Sequence, residues 1–267
     1  MTIAYSQELI SAKIAEFQVM TPEQRARIRM ENYNRSAGTL DAQEYDCPKC
    51  MNRGHFQRLR KDLSVYMEDC DCMAIRRSIW SAKNAELYDR LLQCDFPRFR
   101  TEAKWQQEMK QTALHWAMQA NKEWLMLCGQ SGCGKSHLTM AAVGYRIFHR
   151  SQRVTFLDWR KFNLARECDK ERFWEQLDKS EKAEILFIDD LLKLDSDRSF
   201  LPSPEKELAF QIINTRSNRS GITVISTELT PEQLLKIDQA TASRLLSMAK
   251  QYKFTVSPDI KKNRRLQ

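Results

Sequence analysis

Glycine is scarce in this sequence. Only 7 of the 267 residues are glycine, where average usage near 7% predicts about 19. Three of the seven, Gly129, Gly132 and Gly134, lie within six residues of one another. In a chain so poor in glycine, this cluster predicts a loop whose backbone turns tightly or comes very close to a ligand.

Long apolar runs are also absent. The longest, Trp124 to Cys128, has five residues, against the ~20 that a membrane-spanning helix needs. The first twenty residues contain Glu8 and Glu16 and lack the basic start and unbroken apolar centre of a secretion signal. Apolar residues at 42% and charged residues at 29% exclude a wholly disordered, collagen-like or coiled-coil chain. We therefore expect a cytoplasmic protein without a membrane partner.

The net charge of +8 is unevenly distributed. Residues 1–95 hold 14 basic and 14 acidic side chains, whereas residues 96–267 hold 29 and 21. The last twenty residues contain six basic side chains and one acidic. Such a basic tail attracts phosphate, whether of a nucleotide or of a nucleic acid. A solvated charged terminus is an equally good interpretation of this composition.

Four of the eight cysteines are grouped as Cys47, Cys50, Cys70 and Cys72. Without a secretion signal the thiols should stay reduced, and two close pairs of thiolates can hold one zinc ion at ~2.3 Å. The second pair has one intervening residue where zinc ribbons usually have two. Four unrelated buried thiols are the alternative, and His55 is a possible substitute ligand. The isolated cysteines are interpreted as apolar fillers: Cys94, Cys128, Cys133 and Cys168.

The chain before residue 96 is predicted to be helical around the cysteines. Apolar spacing favours helices over residues 3–19 and 74–92. Between them, Thr21 with Pro22 and Gln24 has the pattern of a capped helix start. Proline at position 97 breaks the helical pattern, and we place the domain boundary between residues 95 and 96.

The predicted pattern of secondary structure then changes to helices that alternate with short apolar strands. Each strand candidate is apolar at nearly every position, as in a parallel sheet that is buried on both faces. Five of them, separated by helical stretches, predict an α/β doubly wound domain. The candidate strands are residues 124–128, 154–157, 185–188, 222–225 and 252–256.

The glycine cluster lies in a phosphate-binding motif directly after the first strand. The sequence Gly129-Gln130-Ser131-Gly132-Cys133-Gly134-Lys135-Ser136 fits the P-loop pattern at every fixed position and opens a helix. In such a loop, backbone N–H groups surround the β-phosphate, Lys135 reaches the β- and γ-phosphates, and the Ser136 hydroxyl binds Mg²⁺.

Polar residues follow two later strands. Asp189 can hold Mg²⁺ and Asp190 can orient or deprotonate the attacking water, although adjacent acids also form helix caps. Thr227 and Glu228 end the next strand and would face the γ-phosphate. Arg244 on a later helix could supply positive charge to the nucleotide of a neighbouring subunit. Taken alone, it is an ordinary surface arginine.

These elements together resemble the DnaC/DnaI type of AAA+ ATPase, the bacterial and phage helicase loaders. The segments that carry the resemblance are GQSGCGKSHL, ILFIDDLLK, VISTELTPEQLLKID, ASRLL and KNRRL. The four-cysteine module ahead of the ATPase part is similar to that of the DnaI branch and of phage DnaC-like proteins. The resemblance implies a P-loop AAA+ fold with a small helical, zinc-binding N-terminal domain.

The resemblance also implies roles for individual residues. Lys135 and Ser136 bind ATP and Mg²⁺, Asp189 and Asp190 form the Walker B pair, and Arg244 is the arginine finger. Two positions depart from the family: Glu228 stands where Asn is frequent, so that Thr227 would have to sense the γ-phosphate, and Asp190 replaces a glutamate. The tail is too short for a helical lid, which leaves Arg264 or Arg265 as a second sensor.

The function implied is a helicase loader that assembles with itself. Residues 1–95 would bind a hexameric replicative helicase, and residues 96–267 would bind single-stranded DNA. Aromatic and basic side chains alternate between residues 159 and 174, a composition that suits base stacking, although burial of Trp159 and Phe162 in the core is at least as good an interpretation. The rivals are a transposition helper ATPase of the IstB type and a zinc adaptor for which nucleotide is only a structural ligand.

Overall fold

The computed structural model describes residues 19–119, 122–193, 202–264 and 266. The chain divides into two compact units, Met1–Arg76 and Arg77–Gln267. This division lies earlier in the chain than the boundary predicted after residue 95, and a functional division at residue 95 stays a prediction. Among the residues described, every helix is too short or too polar to span a bilayer.

The first unit contains a capped helix and a two-stranded hairpin. Helix α1 (Pro22–Arg35) begins where the sequence predicts, because the Thr21 hydroxyl accepts the Gln24 N–H and the Gln24 side chain accepts the Thr21 N–H. Strands β1 (His55–Leu59) and β2 (Val65–Asp69) pair antiparallel. The helix predicted over residues 3–19 lies almost wholly outside the described residues.

The single helix predicted over residues 74–92 is two helices, α2 (Cys72–Asn84) and α3 (Tyr88–Gln93). Between them, Glu86 takes a left-handed conformation with φ +54°. The Glu86 N–H then bonds the Lys83 carbonyl, and the Leu87 N–H bonds the Ala82 carbonyl. This is the Schellman pattern that ends helices. Glycine usually occupies the left-handed position of that turn. Because a glutamate occupies it here, the end of helix α2 could not be predicted from the sequence.

The second unit is built on the predicted five-stranded parallel sheet. Its strands are β3 (Leu125–Gly129), β4 (Val154–Asp158), β5 (Ile185–Asp189), β6 (Ile222–Thr227) and β7 (Lys253–Val256), in the order β4-β5-β6-β3-β7. The flanking helices are α4 (Lys104–Met118), α5 (Lys135–Arg150), α6 (Trp159–Cys168), α7 (Lys170–Lys182), α8 (Ser203–Asn218), α9 (Pro231–Ile237) and α10 (Gln239–Met248), and a 3₁₀ turn follows at Ile260–Lys262. The predicted α/β AAA+ fold is thus confirmed.

Both faces of the sheet are buried, as the apolar strand sequences predict. Met126 and Cys128 of β3 belong to one core cluster with Leu186 of β5 and Ile225 of β6. Leu125 alternates with them on the opposite face and is equally inaccessible. Strands β3 and β6 are therefore buried at every position, and β5 at every position except Asp189, which is why their sequences are largely apolar.

The aromatic side chains proposed for base stacking are mostly core residues. Trp159, Phe162 and Phe173 lie in the same cluster as the sheet, and the Phe162 and Phe173 rings stack with centroids 4.9 Å apart. Only Trp174 among them is largely exposed. The stacking interpretation is therefore wrong for the three buried rings, whose apolar area packs the two helices onto the sheet.

Candidate functional site

The candidate site lies at the carboxyl ends of β3, β5 and β6. In the sheet, β3 is flanked by β6 and β7, whereas the next strand in the chain, β4, lies at the far edge. The chain therefore passes over two strands, β6 and β5, before it re-enters the sheet at β4, and a crevice opens beside β3, where the strand order reverses. Ligands of open parallel sheets bind in such a crevice.

The loop after β3 has a backbone that only glycine permits at three positions. Gly129, Gly132 and Gly134 have φ values of +104°, +74° and +99°. A Cβ atom on Gly129 would lie 2.0 Å from the Val256 carbonyl oxygen, and one on Gly134 would lie 2.5 Å from the Phe99 ring. Both conformation and space thus exclude a side chain, as the sequence predicted for a loop in close contact with its surroundings.

The two polar residues of the motif open helix α5. Lys135 is almost fully buried, and its Nζ donates to the Gln130 carbonyl oxygen at 2.7 Å. The Ser136 Oγ donates to Asp189 Oδ1 at 2.8 Å. The structure thus brings together the hydroxyl and carboxylate that the sequence assigned to magnesium, and both are oxygen ligands of the kind that Mg²⁺ prefers.

The acidic pair after β5 is held by the neighbouring strand. Ser226 of β6 donates its hydroxyl to Asp189 Oδ1 at 2.5 Å and accepts the Asp190 N–H at 3.0 Å. Arg90 lies 3.3 Å from Asp189 Oδ2. Asp190 itself is left-handed with φ +57°. A single serine therefore sets the relative position of the two carboxylates.

Glu228, at the end of β6, lies in a chain of polar contacts with the P-loop. Lys193 Nζ is 2.9 Å from both Asp190 Oδ2 and Glu228 Oε1. Burial alone would raise the pKa of the Glu228 carboxyl, but hydrogen bonds from Lys193 and Ser131 lower it below its usual value. Burial likewise would lower the pKa of Lys193, and its hydrogen bonds to Asp190 and Glu228 raise it instead. Glu228 and Lys193 are therefore both charged at neutral pH.

Thr227 differs from its predicted role as the alternative sensor of the γ-phosphate. The side chain is fully buried, and its hydroxyl donates to the Leu191 carbonyl oxygen at 2.8 Å. The Thr227 hydroxyl oxygen also accepts the Leu229 N–H at 3.2 Å. Thr227 thus joins the ends of β5 and β6, and its hydroxyl hydrogen is already in use within the core.

The C-terminal segment folds back onto the P-loop. The Gln130 side chain donates to the Asp259 carbonyl at 2.7 Å and accepts the Asp259 N–H at 2.5 Å. The Arg264 N–H bonds the Gly132 carbonyl at 3.0 Å, and its guanidinium lies 4.5 Å above the Phe99 ring. Arg265, the other candidate for a second sensor, lies outside the described residues.

In the first unit, the four grouped cysteines converge. Their sulfur atoms all lie within 4.8 Å of one another and are buried. Cys47 and Cys70 sulfurs are 3.8 Å apart, and those of Cys50 and Cys72 are 3.6 Å apart. Four thiolates at ~2.3 Å from one zinc ion would be separated by about 3.8 Å, the edge of that tetrahedron. The cluster therefore fits zinc despite the short spacing between Cys70 and Cys72.

The surroundings of Cys50 favour its thiolate, whereas burial raises the pKa of Cys70 and Cys72. Burial would raise the pKa of Cys50, but the Gly54 N–H at 3.3 Å and the neighbouring thiols lower it to about 7. His55 is not part of the cluster, since its Nε2 lies 2.7 Å from the Tyr33 hydroxyl. Outside the cluster, Cys128 and Cys133 are buried fillers as predicted, whereas Cys94 is half-buried and Cys168 is exposed, which contradicts the filler interpretation for Cys168.

Comparison with known families gives the same nucleotide-binding assignment. The model of a family described as IstB-like ATP binding protein matches residues 74–248. The chain belongs to this IstB-like family. The match includes the P-loop, the acidic pair and Arg244, and it confirms the predicted class of ATP-binding AAA+ ATPase.

Among curated proteins, the IstB-like chain is 27% identical over 226 residues to the phage-like element PBSX protein XkdC of Bacillus subtilis strain 168, covering 79% of this chain and 82% of that protein. A further relative from the same strain is the uncharacterized protein YqaM, 25% identical over 287 residues, with 88% and 90% covered.

Solved structures share the fold. The crystal structure of DnaI has a TM-score of 0.50 and 18% identity, covering 66% of this chain and 93% of that one. A structure described as a primosome component from Streptococcus pyogenes serotype M3 has a TM-score of 0.50 and 17% identity, covering 62% and 87%. At these identities the likeness concerns the fold alone.

Arg244 of the IstB-like protein lies on α10. Its guanidinium donates to the Ala240 carbonyl at 2.9 Å and lies 5.0 Å from the centre of the Phe210 ring of α8. Neither contact involves the phosphate loop of its own chain. The structure does not bring this arginine together with the other predicted catalytic residues, and its role as a finger stays a prediction.

Three polar residues of the site were missed by sequence reasoning: Ser226, Arg90 and Lys193. Ser226 is a polar residue near the end of a predicted strand, but its role depends on β6 lying next to β5, which the sequence does not state. Lys193 follows Asp190 by three residues, a spacing that places both on one side of a tight turn. Arg90 lies on a helix far from the motifs in sequence and had no signal.

Proposed function

We propose that this IstB-like protein is an ATPase that loads a replicative DNA helicase onto single-stranded DNA. The observation that carries the proposal is a buried four-thiol cluster in one compact unit, followed in the same chain by a complete P-loop ATPase site. The first is suited to a small adaptor module and the second to nucleotide-driven assembly. The likeness in fold to a primosome component agrees with this interpretation.

Hydrolysis of ATP would use residues that are already in place. Ser136 and Asp189 would hold Mg²⁺, which supplies positive charge to the phosphate oxygens when bound. Lys135 adds charge at the β- and γ-phosphates. Asp190 would orient a water and accept its proton as the oxygen bonds to the terminal phosphorus and the bridging bond breaks, giving ADP and phosphate.

The cysteine unit is proposed to hold zinc and to form part of a helicase-binding adaptor over residues 1–95. Cys50 has a Gly54 N–H directed at its sulfur, the kind of outer contact that stabilises metal-bound thiolates. Such a site needs reduced cysteines, which agrees with a cytoplasmic location.

Single-stranded DNA is proposed to bind the ATPase part. Residues 96–267 carry the whole positive excess of the sequence, and a phosphate backbone is attracted to such a surface. Trp174 on α7 is an exposed ring in this part, available for base stacking.

Two other functions remain open. A transposition helper is favoured by the name of the matching family model, IstB-like ATP binding protein. A zinc adaptor with nucleotide as a structural ligand is the other. The identity of the protein partner distinguishes a transposition helper from a helicase loader. The need for ATP hydrolysis distinguishes a loader from an adaptor for which nucleotide is only a structural ligand.

For nucleotide binding, we expect Lys135→Ala to weaken ATP binding by about 100-fold, since it removes a charged hydrogen-bond donor from the phosphates. Asp190→Asn should keep binding and lose turnover, because the amide retains the shape of the carboxylate and not its charge. Titration calorimetry and phosphate release measure the two. Lys182→Ala, at an exposed i,i+4 pair with Asp178, is the control that should change neither. Equal affinity in wild type and Lys135→Ala would refute the assignment.

For the metal, we expect one zinc per chain by elemental analysis. Cys70→Ser should release it and unfold the cysteine unit, because structural zinc supplies about 10 kcal/mol of folding free energy. Cys168→Ser, at an exposed cysteine outside the cluster, should retain full zinc content. A folded, metal-free preparation would contradict the proposal.

For self-association, we expect Arg244 to complete the site of a neighbouring subunit. Mixing Arg244→Ala with Lys135→Ala chains should then recover ATP hydrolysis, since some interfaces combine the intact half of each variant. Activity per chain should also rise with protein concentration. Absence of recovery in mixtures shown to co-assemble would make Arg244 a structural residue, through its contact with Phe210.

For the partners, we expect the full chain to retain a replicative helicase in co-purification. DNA affinity should fall steeply with salt, with a log-log slope of about −0.7 per phosphate contact for single strands, whereas helicase binding should depend on salt much less. Cys70→Ser should lose the helicase and keep the DNA. Retention of a transposase in place of the helicase would favour the transposition helper.

A further inference from the structure

The proposed function does not explain why a negatively charged residue, Glu228, lies at the nucleotide site. Glu228 directly follows β6, and Lys193 joins its carboxylate to that of Asp190, which directly follows β5. A terminal phosphate entering this crevice would meet Asp189, Asp190 and Glu228, three negative groups. Charges of like sign at such short range oppose binding. Some cation of the chain must therefore compensate Glu228.

The contacts of Lys193 identify it as that cation. Its Nζ is 2.9 Å from Asp190 Oδ2 and 2.9 Å from Glu228 Oε1, so that it bridges the two strand ends. The Lys193 side chain is about one quarter exposed. It is therefore shielded enough to interact strongly and open enough to reach a ligand that enters from solvent.

The location of the amine follows from the residues around it. Asp189 accepts a hydrogen bond from Ser136, the residue that would hold magnesium, and Ser131 and Lys135 of the P-loop both act to lower the pKa of Glu228. The terminal phosphate of ATP lies beside both the magnesium and the P-loop lysine. A bound terminal phosphate would therefore lie near the space between the Asp190 and Glu228 carboxylates, where Lys193 Nζ lies.

An ammonium group has three donors and no acceptor. Two of the three are directed to Asp190 and Glu228, which leaves one for a phosphate oxygen. A neutral asparagine could donate to phosphate without help, whereas a glutamate can only accept. In this chain the lysine and the glutamate would do together what one neutral side chain does elsewhere.

We propose that Lys193, held in place by Glu228, binds the terminal phosphate of ATP and so distinguishes ATP from ADP. The inference rests on the proposed ATPase site and adds a residue to it. Glu228 is the positioning residue, because it acts by holding the lysine.

The test compares a nonhydrolysable ATP analogue with ADP, each titrated with Mg²⁺ into the full-length protein by calorimetry. Lys193→Met should weaken binding of the analogue about tenfold or more, the effect of one charge-assisted hydrogen bond, and change ADP affinity by less than about twofold. Lys193→Arg should retain most of the preference for the analogue. Lys179→Met, at an exposed i,i+4 pair with Glu175, should behave as wild type.

A second variant separates phosphate binding from charge balance. If Lys193 only neutralises its carboxylate partners, adding Glu228→Met, which removes the negative charge and supplies no donor, to Lys193→Met should restore binding of the analogue. Our proposal predicts no restoration, because the donor to the phosphate is still missing. Thermal unfolding without nucleotide checks that each variant folds, and Lys193→Gln, which keeps polar contacts with both carboxylates, replaces the methionine variant if that one does not.

The outcomes can be told apart. Equal loss of analogue and ADP affinity, or restoration by Glu228→Met, overturns the role of Lys193 and leaves the nucleotide site intact. Failure of the wild-type protein to bind either nucleotide overturns the proposed ATPase site itself.

Discussion

The nucleotide site depends on one constraint, which is that neighbouring main-chain and side-chain groups approach the phosphate loop too closely for side chains at its glycine positions. The Val256 carbonyl, the Phe99 ring and the Asn263 side chain lie against Gly129, Gly134 and Gly132 respectively. The loop is therefore shaped from outside as well as by its own turns. Because β7 and β3 pair directly, the strand that ends at Val256 fixes the point at which the loop begins.

Charge balance follows from this packing. The loop brings Lys135 to the ends of β5 and β6, where carboxylates accumulate, and each carboxylate there has a partner: Ser136, Ser226 and Arg90 for Asp189, and Lys193 for Asp190 and Glu228. At Glu228, hydrogen bonds outweigh burial and hold the pKa of the carboxyl below its usual value.

Sequence reasoning predicted the parts of the molecule that are dictated locally. The five strands and the P-loop were found because uniform apolar runs and a fixed glycine spacing each have one physical cause. The break at Glu86 was missed because a non-glycine residue carries the left-handed turn. Ser226 and Lys193 were missed as partners because their roles arise from which strands are neighbours, and one sequence does not state strand order. Thr227 was assigned to phosphate sensing, whereas the sheet buries it.

The contacts of the C-terminal segment with the phosphate loop have an evolutionary consequence. Asp259 and Arg264 meet Gln130 and Gly132 through their main-chain groups, which every residue except proline can supply in full. The path of this segment can therefore persist while its side chains change. Selection for the contact acts on Gln130, whose side-chain amide supplies both a donor and an acceptor. Related chains can therefore differ widely in the sequence of this C-terminal segment and still hold the phosphate loop in the same conformation.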